Sequence, residues 1–315
     1  MTGRIPVAAV VGPTATGKTR LAVELALRFG GEVVSADSMQ IYSGLSVGTA
    51  KPTREEMRGV PHHLVGFLGL EEPFSVADYV RLASAAVREI SARRKLPVVA
   101  GGTGLYVRAL LSGVAFPPEK GDAALRGSLR AKAEREGPAA LWEELRSFDP
   151  ESAARLHPNN VGRVVRAIEV YRVSGVTMSE TQRRSRENPS PFDCAVIGLS
   201  YRDRGKLYGA IDRRVDGMMR DGLVREAEAV FRLPRAATAA QAIGYKEFFP
   251  YFRGERTLAE AVDEVKRESR RYAKRQLTWF RREPGVRWIF LDECPGPEEV
   301  FRRACRILKE KGWER

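Results

Sequence analysis

Cysteine, histidine and long apolar runs are scarce in this chain of 315 residues. Its three cysteines, Cys194, Cys294 and Cys305, are far apart and form no CxxC pair. That argues against a disulfide framework or a zinc site and fits reduced, structural thiols. Of the three histidines, His62 and His63 are adjacent, but no carboxylate or cysteine stands at metal-ligand spacing beside them. They read equally as structural or functional. No apolar run approaches the roughly 20 residues a helix needs to cross a bilayer. Met1-Thr2-Gly3-Arg4 leads straight into a strand-like run, leaving no room for a signal peptide. The expectation is a cytoplasmic protein without a membrane anchor. Negative charge is short as well: 40 Asp and Glu face 53 Lys and Arg, a formal net charge of +13. Such an excess suits a polyanionic partner, although metabolic enzymes can also be basic.

What is present begins with Gly12-Pro13-Thr14-Ala15-Thr16-Gly17-Lys18-Thr19, which satisfies the phosphate-loop pattern G-x-x-x-x-G-K-[ST] at every fixed position. The β-branched run Val7 to Val11 ahead of it reads as a buried strand. Arg20 to Phe29, with Leu21, Leu25 and Phe29 on one face, reads as the following helix. In that context the glycines let backbone N–H groups curl around phosphate oxygens, and the helix N-terminus adds positive potential. Lys18 would reach the terminal phosphate and the Thr19 hydroxyl would hold Mg²⁺. The competing reading is a glycine-rich turn before a surface helix.

Glu32 to Ala36 reads as a second strand ending on Asp37, where a carboxylate would face the crevice at the C-terminal edge of a parallel sheet. A helix cap or turn aspartate is the plainer alternative. Ser75 caps a predicted helix to Arg94, and Leu96 to Ala100 reads as a buried strand delivering Gly101-Gly102-Thr103-Gly104. Those glycines would let backbone approach a ligand, with Thr103 offering a hydroxyl, or would serve tight packing only. Strands alternating with helices predict a parallel α/β sheet. From about Gly121 to Arg186 only helical periodicity remains, over Ala123 to Glu136, Ala139 to Phe148 and Val161 to Val173. An all-helical insertion is expected over 119–191, bounded by Pro117-Pro118 and Asn188-Pro189-Ser190-Pro191, inside a core made of 1–118 and 192–315. Arg163, Arg166, Arg183, Arg184 and Arg186 lie within it, as an RNA-facing edge or an ordinary solvated face. Strand signal returns at Cys194 to Leu199, followed by a helical stretch carrying Arg213, Arg214, Arg220 and Arg225. Leu258 to Arg282 forms one basic helix in which Tyr272, Trp279 and Phe280 are interleaved with lysines and arginines. That mixture suits unstacked RNA bases, or a basic surface whose aromatics enter the core. Val286 to Leu291 and Glu298 to Lys309 close the chain as strand and helix.

Seven stretches together resemble one family, the tRNA dimethylallyltransferases (tRNA isopentenyltransferases). They are GPTATGKT (Gly12–Thr19), SADSMQIY (Ser35–Tyr42), GTAKP (Gly48–Pro52), GGTGLY (Gly101–Tyr106), HPNN…RVVRAIEVY (His157–Tyr171), QAIGYKE (Gln241–Glu247) and YAKRQLTWFR (Tyr272–Arg281). The resemblance runs from Val10 to about Arg282. Gly162 departs from it, standing where the family commonly has Gln, which puts one polar contact to tRNA in doubt. No counterpart of the zinc-finger extension of eukaryotic relatives is present, so the chain looks like the bacterial form.

The resemblance implies a phosphate-loop parallel sheet flanked by helices, with a helical insertion. It also implies transfer of a dimethylallyl group from dimethylallyl diphosphate to the exocyclic amino nitrogen (N6) of the adenosine after the anticodon. The loop Gly12, Pro13, Thr14, Ala15, Thr16, Gly17, Lys18 and Thr19 would then hold diphosphate and Mg²⁺, and not a nucleotide. Asp37 would act as base, and Thr103, Lys18 and Arg220 would complete the catalytic set. Contacts to tRNA are implied for Asp37, Ser38, Met39, Gln40 and Thr103, and for Arg126, Gly162, Arg163 and Arg166 in the insertion. They are implied as well for Gln241, Gly244, Tyr245, Lys246, Lys274, Arg275, Gln276, Trp279 and Arg281. A monomer is expected. The rival readings are a small-molecule or nucleotide kinase built on the same loop and a non-catalytic RNA-binding NTPase. The kinase leaves the basic aromatic helix without a purpose, and the NTPase leaves Asp37 without one.

Overall fold

The computed structural model describes residues 3–113, 121–187, 189–233 and 238–313. Its strands β1 (Ile5–Val11), β2 (Glu32–Ser35), β3 (His62–His63), β4 (Pro97–Gly101), β5 (Phe192–Ser200) and β6 (Val286–Phe290) form one parallel sheet in the order β3-β2-β4-β1-β5-β6. A central parallel strand must bury both faces, and β1 divides its side chains accordingly. Ala8 and Val10 join Leu21 and Leu25 of the helix Lys18–Phe29 and Ala304 and Leu308 of the helix Pro297–Lys309. Val7, Ala9 and Val11 enter the opposite core with Tyr79, Val87 and Ile90 of the helix Val76–Ala92 and Tyr106 and Leu110 of the helix Gly104–Leu111. The expected strands and helices of this region are present within a few residues of their predicted ends. β3 was not expected, because two residues carry no periodicity.

A third core joins Ile41, Tyr42 and Leu45, from the loop after β2, to Val215 and Met218 of the helix Arg204–Arg220. Tyr245, Phe248 and Val265 complete it. It fastens the loop that starts at Asp37 against the helices that follow β5.

The chain divides into two compact units, Met1–Leu111 with Pro191–Arg315, and Ser112–Ser190. Among the described residues the second unit holds helices only: Ala123–Glu136, Pro138–Phe148, Pro150–Arg155, Val161–Ser174 and Met178–Glu187. It has its own core of Leu129, Leu141, Leu145, Val164 and Ile168. The expected boundary at Pro117-Pro118, the Arg186 side chain and Asn188 lie outside the described residues.

β2 is pinned at its first residue. The buried Glu32 carboxylate accepts from Lys95 Nζ at 2.9 Å and Arg93 Nη2 at 2.7 Å, and meets His63 Nε2 at 2.7 Å. Burial alone would raise its pKa, but the hydrogen bonds from Lys95, His63 and Arg93 outweigh it and hold the group down at about 2. Because the folded carboxyl titrates below the unfolded one, its stabilisation is complete above the ordinary carboxylate range and is lost as pH falls from there towards 2. Glu32→Gln should therefore lower stability at pH 7 by about 2 kcal/mol, a figure discounted for the half-exposed partners. Urea titrations should show the gap between parent and variant closing in acid.

Candidate active site

The C-terminal ends of β1, β2 and β4 lie side by side, the edge at which open α/β sheets bind ligands. After β1 the chain turns through Gly12 at φ 140°, Ala15 at φ 63° and Gly17 at φ 74°. A Cβ on Gly12 would lie 2.2 Å from the Leu199 carbonyl oxygen of β5, so only glycine fits there. Thr16 is buried and its hydroxyl donates to the Pro13 carbonyl at 2.9 Å. It braces the loop through its side chain. Lys18 Nζ donates to the same carbonyl at 2.7 Å. Burial is the main cause that lowers the Lys18 pKa, to about 7; the neighbouring Arg214 guanidinium adds to this and Asp37 opposes it. The ammonium is thus held in a poorly solvated site beside a second cation, where an anion would restore its charge.

After β2, Asp37 makes the turn and also faces the crevice. Its Oδ1 accepts from the backbone N–H of Met39 at 2.9 Å and of Gln40 at 3.3 Å. Asp37 thus braces the turn and borders the crevice at once. Asp37 lines a cavity of about 240 Å³ together with Thr14, Ser38, Met39, Arg214, Gln241 and Tyr272. Ile211, Val215, Met218, Ala242 and Val265 supply an apolar wall. Thr103 Oγ1 accepts from Ser38 N–H at 3.0 Å and so couples the ends of β2 and β4.

Several expected site residues lie elsewhere. Arg220 is exposed at the last position of its helix and does not line the cavity. Arg214 lines it instead, its pKa lowered by burial against the pull of Asp37 and Glu56. Its signal was readable, because Arg214 lies beside Leu207, Ile211, Val215 and Met218 on the apolar stripe, whereas Arg213 and Arg220 fall on the exposed face. Tyr245 is fully buried, its ring filling the space above Gly48 and its hydroxyl donating to Glu226 at 2.7 Å. The same carboxylate accepts from the backbone N–H groups of Ser46, Val47 and Gly48. Glu226 and Tyr245 therefore shape the GTAKP loop from beneath. Gln40 spends its side chain on the carbonyls of Thr49 and Ala50. Gln276 is buried. Gly244, at φ 97°, lines the cavity, and Lys246 is exposed. Thr19 is half-buried at the start of its helix.

The glycines at and after the end of β4 serve close packing. A Cβ on Gly101 would lie 2.2 Å from the Ala36 carbonyl oxygen, one on Gly102 would lie 2.1 Å from Gln276 Nε2, and one on Gly104 would lie 2.3 Å from Trp279 Cδ1. Gly102 and Gly104 seat the helix Leu258–Phe280, and Gly101 lets the end of β4 pack against Ala36. On that helix Lys266 and Arg270 are paired with Asp216 and Asp212, and Arg267 and Arg271 with Glu264 and Glu268. Further along, Lys274, Arg275, Trp279 and Arg282 line a second cavity of about 360 Å³ with Arg108 and Thr278. Arg281 is exposed beside it in sequence. Lys274, Arg275 and Arg281 have no carboxylate partner among the described residues. The Trp279 ring lies under Arg108, whose guanidinium carbon is 4.7 Å from the ring centroid.

In the helical unit Arg126 and Arg166 each donate at 2.7 Å to the buried Glu169 carboxylate. Two cations on one anion leave this cluster net positive. Arg163 is exposed, and a Cβ on Gly162 would have open space around it.

A sequence profile described as IPP transferase matches residues 40–283. The chain belongs to the IPP transferase family. It is 48% identical over 307 residues to a tRNA dimethylallyltransferase of Geobacillus thermodenitrificans, covering 96% of each chain. It is 45% identical over 311 residues to one from Caldanaerobacter subterraneus, covering 98% of each. Among solved structures it resembles the full-length tRNA isopentenylpyrophosphate transferase of Bacillus halodurans, with a TM-score of 0.72 at 43% identity and 98% of both chains covered. It also resembles a eukaryotic dimethylallyltransferase solved acting on tRNA, with a TM-score of 0.83 at 27% identity, covering 95% of this chain and 77% of that one. These relatives are transferases, which favours that reading over a kinase.

For this IPP transferase family member the exchange of Arg220 for Arg214 in the site can be measured directly. Arg214→Ala should weaken inorganic pyrophosphate binding by about 1.5–3 kcal/mol, the worth of a charge-assisted contact. Arg220→Ala should leave it within about 0.5 kcal/mol, as for a surface change. Calorimetric titration of the two variants separates them.

Proposed function

We propose that this protein is a tRNA dimethylallyltransferase, acting on the exocyclic amino nitrogen of the adenosine that follows the anticodon, with dimethylallyl diphosphate as donor. The observation that carries the reading is the cavity itself. It is lined by one carboxylate, Asp37, one cation, Arg214, and an apolar wall of Ile211, Val215, Met218 and Val265, with the Lys18 ammonium near enough to feel both charges. A diphosphate with a short branched tail matches both chemistries at once, whereas a small-molecule phosphate acceptor has no use for the wall.

The adenine amino group is a weak nucleophile because its lone pair is delocalised into the ring. The allylic C–O bond of the donor, in contrast, ionises readily once the leaving diphosphate is stabilised. Catalysis then consists mainly of anion stabilisation and positioning. Lys18, the amides of the loop Gly12–Thr19 and Arg214 receive the charge that develops on diphosphate as the bond breaks. The amino nitrogen forms the new bond to the allylic carbon, and its proton passes to Asp37, whose Oδ1 is held by the Met39 and Gln40 amides. Thr103, bonded to Ser38, keeps the ends of β2 and β4 in register around the base. The adenosine has to leave its stack to enter.

The donor set suits Mg²⁺ only in part. Among the described residues no cluster of three or more His, Cys, Asp or Glu could hold a metal ion. Thr19 would supply one oxygen, and diphosphate and water the rest, which is a usual arrangement for this ion. Bound there, Mg²⁺ would neutralise charge on the leaving group. Lys274, Arg275 and Arg281, which have no carboxylate partner among the described residues, with Trp279 between them in sequence, provide a surface for phosphates and splayed bases of the anticodon loop. Arg163 and the Arg126–Glu169–Arg166 cluster are the corresponding candidates in the helical unit. No described helix is long and apolar enough to cross a membrane; the proposed action is in the cytoplasm, by a monomer.

Asp37→Asn retains an Oδ1 acceptor for both turn amides, so the fold and most RNA affinity should survive. The single-turnover rate of prenyl transfer should fall by roughly 10²-fold or more, the usual worth of a positioned base. A rate within about threefold of the parent would reduce Asp37 to a turn residue.

A further inference from the structure

Gln276 lies on the helix that carries the exposed Lys274 and Arg275, yet only 5% of its own surface is exposed. Its Oε1 accepts from the Thr14 backbone N–H at 2.9 Å, and its Nε2 donates to the Gly102 carbonyl at 2.9 Å. Chemistry fixes this orientation. Thr14 N–H can only donate and the Gly102 carbonyl can only accept, so a flipped amide would lose both bonds. One side chain thus spans from the phosphate loop after β1 to the turn after β4.

Its neighbours one turn away reinforce the span. Tyr272 lies beside Thr103 and Gln276, and Trp279 fills the space above Gly104. The stripe Tyr272, Gln276 and Trp279 is therefore keyed into Gly102–Gly104, while Lys274 and Arg275 stand outside on the same turn. A shift of this helix would pull on the Thr14 amide, because Gln276 bonds it directly and the seats at Gly102 and Gly104 are closely filled.

We propose that Gln276 is a positioning residue that couples the RNA-facing edge of the helix Leu258–Phe280 to diphosphate occupancy of the phosphate loop. It rests on the transferase reading and adds to it a route between the two substrates. RNA held by Lys274 and Arg275 fixes the helix, the helix fixes Gln276, and Gln276 holds the Thr14 amide in the loop geometry that receives diphosphate. By linkage, diphosphate must then tighten RNA by the same factor.

The test titrates inorganic pyrophosphate into the full chain, with and without an anticodon stem-loop RNA, for the parent, Gln276→Met and Gln276→Glu. Methionine keeps the volume and removes both bonds. Glutamate keeps an acceptor for Thr14 but cannot donate to Gly102. The parent should bind pyrophosphate about tenfold more tightly when RNA is present, a typical coupling between sites. Gln276→Met should bind RNA alone within about twofold of the parent and lose most of that gain, with Gln276→Glu in between. A merely structural role would lower the melting temperature and leave the RNA-induced gain intact. If Gln276→Met does not fold, Gln276→Glu carries the comparison. An equal gain in parent and folded variants, or no gain in the parent, overturns the coupling and leaves the transferase reading in place. A parent that binds neither pyrophosphate nor the stem-loop overturns both.

Discussion

Lys18 and Arg214 are two half-buried cations near Asp37, the only carboxylate that lines the cavity among the described residues. Buried charge that exceeds its partners is costly unless a ligand completes it. Much of the surrounding structure keeps that imbalance in place. Gly12 brings the loop against β5, Pro13 takes the Lys18 ammonium on its carbonyl, and the apolar stripe of the helix Arg204–Arg220 carries Arg214 inward. The family's chemistry follows from that constraint. In the proposed reaction a leaving diphosphate gains negative charge as the C–O bond breaks, so cations already placed and partly desolvated there would favour the transition state over the bound donor.

Most supports of the site come from elsewhere in the chain. Glu32 pins one end of β2 and Asp37 begins just beyond the other. Glu226 gathers three amides of the loop that follows, and Tyr245 fills the space that Gly48 leaves. The helix Leu258–Phe280 closes the arrangement by seating Gln276 and Trp279 in the glycine turn after β4. A site assembled from the ends of three strands needs such ties, because the loops carrying its residues have no ladder of their own.

The phosphate loop, Asp37 and the layer order were legible in the sequence because each rests on a local rule. Fixed residue types at fixed spacing specify the loop, a strand that ends on an aspartate places the carboxylate, and alternating strand and helix signals specify a parallel sheet. The helical unit was legible because strand signal is absent over its length. Legibility failed where the decisive neighbour is distant in the chain. Nothing near Gly102 or Gly104 announces Gln276 or Trp279, which lie far along the chain, so ligand approach and tight packing stayed open as alternatives. Tyr245 and Gln276 sit in motifs that look RNA-facing, and only packing reveals that both are buried. Arg214 and Arg220 differ in the face of one helix they occupy, and reading the apolar stripe instead of counting arginines separates them.

The most direct test of the account is the mass of the RNA product. An anticodon stem-loop with adenosine after the anticodon is incubated with the protein and Mg²⁺, with either dimethylallyl diphosphate or ATP as donor, and weighed by mass spectrometry. A cavity built for a prenyl diphosphate should add one dimethylallyl group in place of one hydrogen, on that adenosine alone, with dimethylallyl diphosphate and leave the RNA unchanged with ATP. Unmodified RNA with dimethylallyl diphosphate, together with phosphoryl transfer from ATP, would contradict it.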